Sequence, residues 1–402
     1  MRTAEHCKEN RSRHLNGYGC GSGVTTTLQV VEKTMQTKNV VLTDFAIGHD
    51  WEFLGGLREG SGAEWDVEFC VSSKLFGSVW NKVKRMSIYV GFPFRLFLRR
   101  EDYGTIVAWQ QFYGILLAFY CRFFYVRKAP DIYILPLIYK EKKGMAGRIY
   151  RWFMRYSLGS SCVKGIFVYS EHEAAYYAEQ LQLPEDKFLQ ETLGIEDRYR
   201  EVWDRIRQKE GEGSSGVKTS ADIREVLATG EQRKAERKES GSYYLSAGRS
   251  NRDYDFLVRS WPEGEHLHIV CDNGLQTGNG EKGADIQVLT HCYQEEFLAE
   301  IANCRAVVIP LQNENISSGQ LVILQALMMG KPVIVTRNAA IGDYIRDGEN
   351  GYVIAKSADQ LQQAMERLQD PARYEMMCRN ARSSFMADYS QKEMGKRIGR
   401  RI

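Results

Sequence analysis

Two series of short β-branched or aromatic runs, each interleaved with helical spacing, constrain this chain more than any other feature. The first series comprises residues 39–45 (NVVLTDF), 66–71, 105–109, 131–138, 165–170 and 188–194, with helical patterns at 112–127, 147–156 and 171–181. The second comprises residues 243–248 (YYLSAG), 266–271, 285–291, 306–311 and 331–336, with helical patterns at 253–261, 294–301, 318–329 and 358–368. Short strands separated by helices predict parallel pairing through crossover connections, with helices covering both faces of the sheet. Two such series therefore predict an α/β chain of two Rossmann-like, doubly wound domains facing across a cleft. A length of 402 residues agrees, since it exceeds what one hydrophobic core ordinarily serves. The expected boundaries are a flexible N-terminal segment at 1–38, a first domain at 39–200, a charged linker or surface excursion at 201–241, a second domain at 242–385 and a basic tail at 386–402.

Charge and cysteine usage exclude several classes. Lys and Arg number 54 against 51 acidic residues, a net +3 that is too balanced to argue for a nucleic-acid partner. Nine cysteines occur without a CxxC pair, so neither a zinc site nor a disulfide framework is expected, and reduced thiols point to the cytoplasm. The polar first 39 residues read as no secretory leader, and the longest apolar run, 112–126, is too short to span a bilayer and carries Arg122. Residues 82–100, 122–128 and 139–155 interleave Lys and Arg with Phe, Tyr, Trp and Leu. That composition suits a surface lying against anionic lipid headgroups, at the inner face of the cell membrane. It equally suits core residues with ordinary solvated neighbours.

The segment 306–354 carries the most chemistry. A strand ends at Leu311, a polar loop follows, and Ser317, Ser318, Gly319 and Gln320 open an apolar helix that stops at Gly330. Small residues at a helix start leave backbone N–H groups pointing outward, where the helix dipole favours an anion such as a diphosphate. A plain helix cap is the alternative reading of the same residues.

The order of parts here resembles the donor domain of GT-B glycosyltransferases, in particular the retaining family 4, through QALMMGKPVIVT at 325–336 and RDGENGYVI at 346–354. The resemblance covers most of 243–385; over 39–200 it rests on strand order and the run at 170–188. It implies that the first domain binds an acceptor and the second a nucleotide-sugar, which is a substrate and not a cofactor. It implies no metal. The family's two glutamates are replaced by Ser317 and Gln325, leaving Gln325 to hold the ribose and Glu314 to reach the sugar. Arg249, after Gly248, matches the cation that neutralises the departing diphosphate; the family's second cation is absent, and Arg252 is the nearest replacement. An Arg252–Asp255 ion pair is the competing reading. Loops at 272–274, with Asn273, and at 291–293, with Tyr293, are implied to lie beside the base. Gln110 and Gln111 stand where relatives often have a His, and either position the acceptor hydroxyl or satisfy backbone groups. The implied activity is sugar transfer from a nucleoside-diphosphate sugar to a glycan or lipid-linked acceptor. A sugar-nucleotide epimerase or hydrolase, and a catalytically silent sugar-nucleotide-binding subunit, remain open alternatives.

Overall fold

The structure, a computed structural model, describes residues 37–48, 50–71, 79–212, 243–272, 285–313, 318–338 and 341–402. The expected N-terminal segment up to residue 36, most of the expected linker (213–242), and the candidate residues Asn273, Glu314 and Ser317 lie outside the described residues.

The described chain contains two six-stranded sheets in which every strand pair is parallel. The first holds β1 (Lys38–Thr43), β2 (Trp65–Phe69), β3 (Tyr103–Ala108), β4 (Asp131–Ile134), β5 (Val163–Val168) and β6 (Phe188–Gln190), in the order β2-β1-β3-β4-β5-β6. The second holds β7 (Tyr243–Ala247), β8 (His266–Val270), β9 (Asp285–Leu289), β10 (Val307–Ile309), β11 (Val333–Thr336) and β12 (Gly351–Ile354), in the order β12-β11-β10-β7-β8-β9. Around the first sheet run α1 (Glu52–Ser61), α2 (Val79–Leu98), α3 (Gln111–Phe123), α4 (Gly144–Leu158) and α5 (Glu171–Leu181). Then follow α6 (Tyr199–Glu212), α7 (Tyr254–Arg259), α8 (Gln294–Asn303), α9 (Gln320–Met328), α10 (Ala358–Arg367), α11 (Pro371–Ser384) and α12 (Gln391–Gly399).

Side chains that alternate along each strand explain why both faces are covered. On β1, Val40 and Leu42 join one core with Ile106, Tyr113 and Ile166, while Val41 joins another with Phe53, Leu57 and Val107. In the second domain Leu245, Val307 and Val333 face one core, and Tyr244, Val308 and Ile334 the other. Strand order reverses direction between β1 and β3 and again between β7 and β10. Those two switch points, at the carboxyl ends of the strands, are where open parallel sheets receive ligands.

The last four residues of the run at 346–354 form β12, paired with β11. Two expectations about organisation are corrected. The beginning of the expected linker is α6, whose Val202 is buried in the second domain's core with Trp203 and Ile206 against it. Its charged exposed face hid that apolar stripe. The expected basic tail is a π-helical turn (Phe385–Tyr389) followed by α12, and α12 returns to the first domain. There Met394 and Ile398 are fully buried beside Phe53 and Leu57 of α1. Glycines allow this approach: a Cβ at Gly56 would lie 1.9 Å from the Lys392 carbonyl oxygen, and one at Gly395 would lie 2.3 Å from that of Phe53. The sequence therefore crosses between domains twice, and the crossings pair. Ile195 N–H donates to Tyr389 O at 3.0 Å, and Gln391 N–H donates to Ile195 O at 3.0 Å. Asp197 clamps Arg382 beside them through two hydrogen bonds of 2.9 and 2.7 Å.

Candidate functional site

At the second domain's switch point, β7 ends in Ala247 and Gly248, and the turn that follows carries Arg249 and Arg252. Arg252 folds back over Gly248. Its Nε donates to Ala247 O at 2.8 Å and its Nη1 to Ser250 O at 2.9 Å. The ion pair with Asp255 does not form. Among the described residues the Arg252 guanidinium has only Tyr254 as an electrostatic neighbour, and burial pushes its pKa below the ordinary value. A half-buried cation with no acid against it is costly unless something anionic joins it.

Gly248 is required here on two counts. Its φ of 120° lies in the region that disfavours side chains, and a Cβ would sit 2.5 Å from Arg252 Nη2. Across the switch point the start of α9 comes close to the same guanidinium, with Arg252 Nη2 lying 3.7 Å from a Cβ placed on Gly319. Gly319 caps α9 in the left-handed conformation at φ 93°. Gly319, with Ser318 and Gln320 on either side of it in the chain, is thus brought to Arg252, with the helix's positive pole beside the cation.

Gln325 lies further along α9, and its Oε1 is buried without a hydrogen-bond partner among the described residues. A buried acceptor in that condition is uncommon and marks a place for a donor group, such as a hydroxyl.

Arg249 is placed differently from Arg252. It pairs with Asp272 at the end of β8, and its side chain is 59% exposed. Asp272 also accepts from His291 N–H at 3.1 Å, with His291 left-handed at φ 60°. Hydrogen bonds from His291 and Tyr293, with the Arg249 charge, hold the Asp272 carboxyl below its ordinary pKa. The bond to Asp272 raises that of Tyr293. Asp272 therefore gathers Arg249 and Tyr293 onto one side of the second sheet's carboxyl edge. Its organising role was missed: Asp before Asn-Gly reads locally as a turn former.

At the first domain's switch point, Gln110 and Gln111 separate in role. Gln111 donates to Ile138 O at 3.3 Å and accepts from Ile138 N–H at 3.0 Å, so both ends of its amide engage backbone. Gln110 caps α3, accepting from Phe112 N–H, while its Nε2 donates to Asp44 Oδ2 at 3.0 Å. Asp44 follows β1 directly, which places a half-buried carboxylate at the carboxyl edge of the first sheet. Gln110 and Asp44 lie 66 residues apart, and no sequence signal joins them. The two domains meet beside these edges: Gln190 Nε2 donates to Asp343 Oδ2 at 3.3 Å, and Leu193 N–H donates to Tyr344 OH at 3.3 Å.

Residues 243–370 match the family described as glycosyl transferases group 1. Among curated protein sequences, none matches this chain. Among solved structures, the chain is similar to HepE from Anabaena, crystallised with UDP and glucose, at 11% identity and a TM-score of 0.54, over 90% of this chain and 98% of that one. Sucrose-phosphate synthase from Thermosynechococcus elongatus is similar at 14% identity and a TM-score of 0.55, with the same coverage. A glycosyltransferase from Rickettsia africae is similar at 10% identity and a TM-score of 0.52, over 90% and 97% of the two chains. These likenesses, spanning nearly the whole of each partner, establish the GT-B fold.

Proposed function

We infer that this chain, whose residues 243–370 form a group 1 glycosyltransferase domain, transfers a hexose from a nucleoside-diphosphate sugar to a glycan or lipid-linked acceptor. One observation carries the reading. Arg252, desolvated and without an acidic partner among the described residues, points its Nη2 toward the start of α9 at the sheet's switch point. A diphosphate supplies the missing anion, and both the guanidinium fork and the helix amides suit its oxygens. HepE, of the same fold, was crystallised with UDP and with UDP-glucose, which makes UDP-glucose the first donor to try.

In this reading, charge developing on the departing diphosphate is stabilised by Arg252 and by the α9 amides, which are already oriented before reaction. Arg249 is close enough along the turn to join once Asp272 releases it. Positive charge from two arginines does the work a divalent cation does elsewhere, so we propose a metal-independent reaction. Gln325 offers its unpaired Oε1 to a ribose hydroxyl. On the acceptor side Gln110 and Asp44 are polar groups at the switch point, and with no His there among the described residues the leaving phosphate takes the acceptor proton. That step favours retention of configuration and membership of family 4.

The acceptor side also favours a lipid-linked substrate in the synthesis of cell-surface polysaccharide or glycoconjugate. Along α2, Trp80, Val83, Met86, Val90, Phe94 and Leu98 are all exposed, Trp80 at 81% and Leu98 at 64%. Their spacing of three or four residues puts them in one stripe. Aromatic contacts continue it across α3 to α4, from Phe97–Phe124 to Phe119–Phe153. Neither α2 nor α4 contains an acid, while Lys82, Lys84, Arg85, Arg95, Arg148, Arg151 and Arg155 flank the apolar residues. Among the described residues no helix is long and apolar enough to cross a membrane, so this face suits peripheral contact with anionic lipid.

A thermal-shift screen of UDP-, GDP- and ADP-sugars, followed by product analysis with donor alone, tests the reading. A stabilising donor that is turned over only when acceptor is added supports transfer. Turnover of donor alone identifies an epimerase or hydrolase, and binding without turnover a silent subunit.

A further inference from the structure

Asn251 lies between the two arginines in the left-handed conformation, at φ 56°. Asn enters this region more readily than most residues, and that alone suffices for a turn. Its side chain does more. Oδ1 accepts from Asn313 N–H at 2.7 Å, while Nδ2 donates to Asn313 O at 3.0 Å and to Ser318 Oγ at 2.9 Å. Its own carbonyl accepts from Gln312 N–H at 3.1 Å. The carboxamide therefore pairs with the backbone of Asn313 as a neighbouring strand would, extending the bridge between Arg252 and Leu311. Asn338, following β11, donates to the same Asn313 carbonyl at 3.0 Å.

One side chain thus grips the β10–α9 connection at 313 and at 318. It does so from the turn whose next residue is Arg252. The guanidinium and the first turn of α9 come from segments more than 60 residues apart, yet both are referred to one carboxamide. A diphosphate bridging them needs their separation fixed to a fraction of an ångström, because loose donors lose most of their electrostatic advantage.

We propose that Asn251 is a positioning residue for diphosphate recognition: it sets Arg252 and the α9 amides at one fixed spacing. This rests on the donor reading given above. Asn251 touches the backbone and Ser318, not the ligand, so its effect is confined to the phosphate end of the donor. Recognition of the base, at the 291–293 side, is independent of it.

Calorimetric titrations with UDP, GDP and ADP, and with the matching nucleosides, test the proposal on full-length protein. Asn251→Gly retains the backbone freedom that φ requires and removes only the clamp. It should weaken diphosphate affinity by about tenfold or more while nucleoside affinity stays within about twofold, and melting falls only modestly because two of the three lost hydrogen bonds are solvent-exposed. Asn251→Asp is isosteric and still accepts from Asn313, but it loses the donations to Asn313 and Ser318 and sets a negative charge beside Arg252. It should lose more affinity than the glycine variant, whereas a purely structural role predicts the reverse order. Unchanged diphosphate affinity in Asn251→Gly, or equal losses for diphosphate and nucleoside alongside a lowered melting temperature, would overturn the proposal while the donor reading stands. A wild type that binds none of the three diphosphates would overturn both.

Discussion

Replacing Arg252 by Ala separates affinity from stability, which makes it the sharpest perturbation of this site. The substitution deletes the donations to Ala247 O and Ser250 O, at 2.8 and 2.9 Å. Each is worth about 0.5–1.5 kcal/mol to folding. It also deletes a half-buried cation whose desolvation no acid among the described residues offsets, a gain of similar size. The terms oppose, so folding stability should change by no more than about 1 kcal/mol. A bound diphosphate loses a charge-assisted contact worth about 1.5–3 kcal/mol, or about ten- to 150-fold in Kd. Urea denaturation gives the first quantity and calorimetry with the best donor the second. Gly248→Ala should act in the same direction without altering charge, because the new Cβ would stand 2.5 Å from Nη2 and push the guanidinium away. If Arg252→Ala binds donor as tightly as wild type but loses more than about 2 kcal/mol of stability, Arg252 is a turn prop and the diphosphate assignment fails.

Three further outcomes follow from the geometry. Gly56→Leu cannot be accommodated where a Cβ already lies 1.9 Å from Lys392 O, so α1 and α12 must part; a loss of about 1–3 kcal/mol in urea and faster cleavage of the C-terminus by protease are expected, and wild-type values for both would refute the packing. Asp272 has a depressed pKa in the folded state, so the folded protein binds fewer protons there than the unfolded chain. Its contribution is present above the unfolded value of about 3.9 and is lost as pH falls through the lower folded one. Asp272→Asn should therefore be less stable than wild type at neutral pH, with the gap closing on acidification; a gap independent of pH would refute the assignment. Wild type should cosediment with phosphatidylglycerol vesicles and much less with phosphatidylcholine, and added salt should weaken the binding. Trp80→Glu with Leu98→Glu should abolish it without changing turnover of a soluble acceptor, and equal binding by the double variant would remove α2 from the interface.

The sequence alone determined what depends on neighbours in the chain. Period-two runs and helical spacing are local, so α5, α8 and the strands of both sheets other than β12 were legible to within a few residues. The same holds for the small residues opening α9, because a helix start is written in three or four consecutive positions. Helices whose outer faces break the usual pattern were not legible. On α2 apolar residues face outward as well as inward, which erases amphipathic periodicity, and on α12 lysines and arginines conceal Met394 and Ile398. The site divides in the same way. Arg249 and Arg252 could be chosen as candidates from their place after a strand, but only tertiary structure decided that Asp272 holds one and that no acid among the described residues holds the other. The joining of Gln110 to Asp44, and of Asn251 to Asn313 and Ser318, was likewise settled by topology. Strand order places β3 beside β1 and β10 beside β7, bringing loops from distant parts of the chain to one edge. A hydrogen bond is chosen by proximity in space, and a local pattern holds no record of which distant segment will lie alongside it.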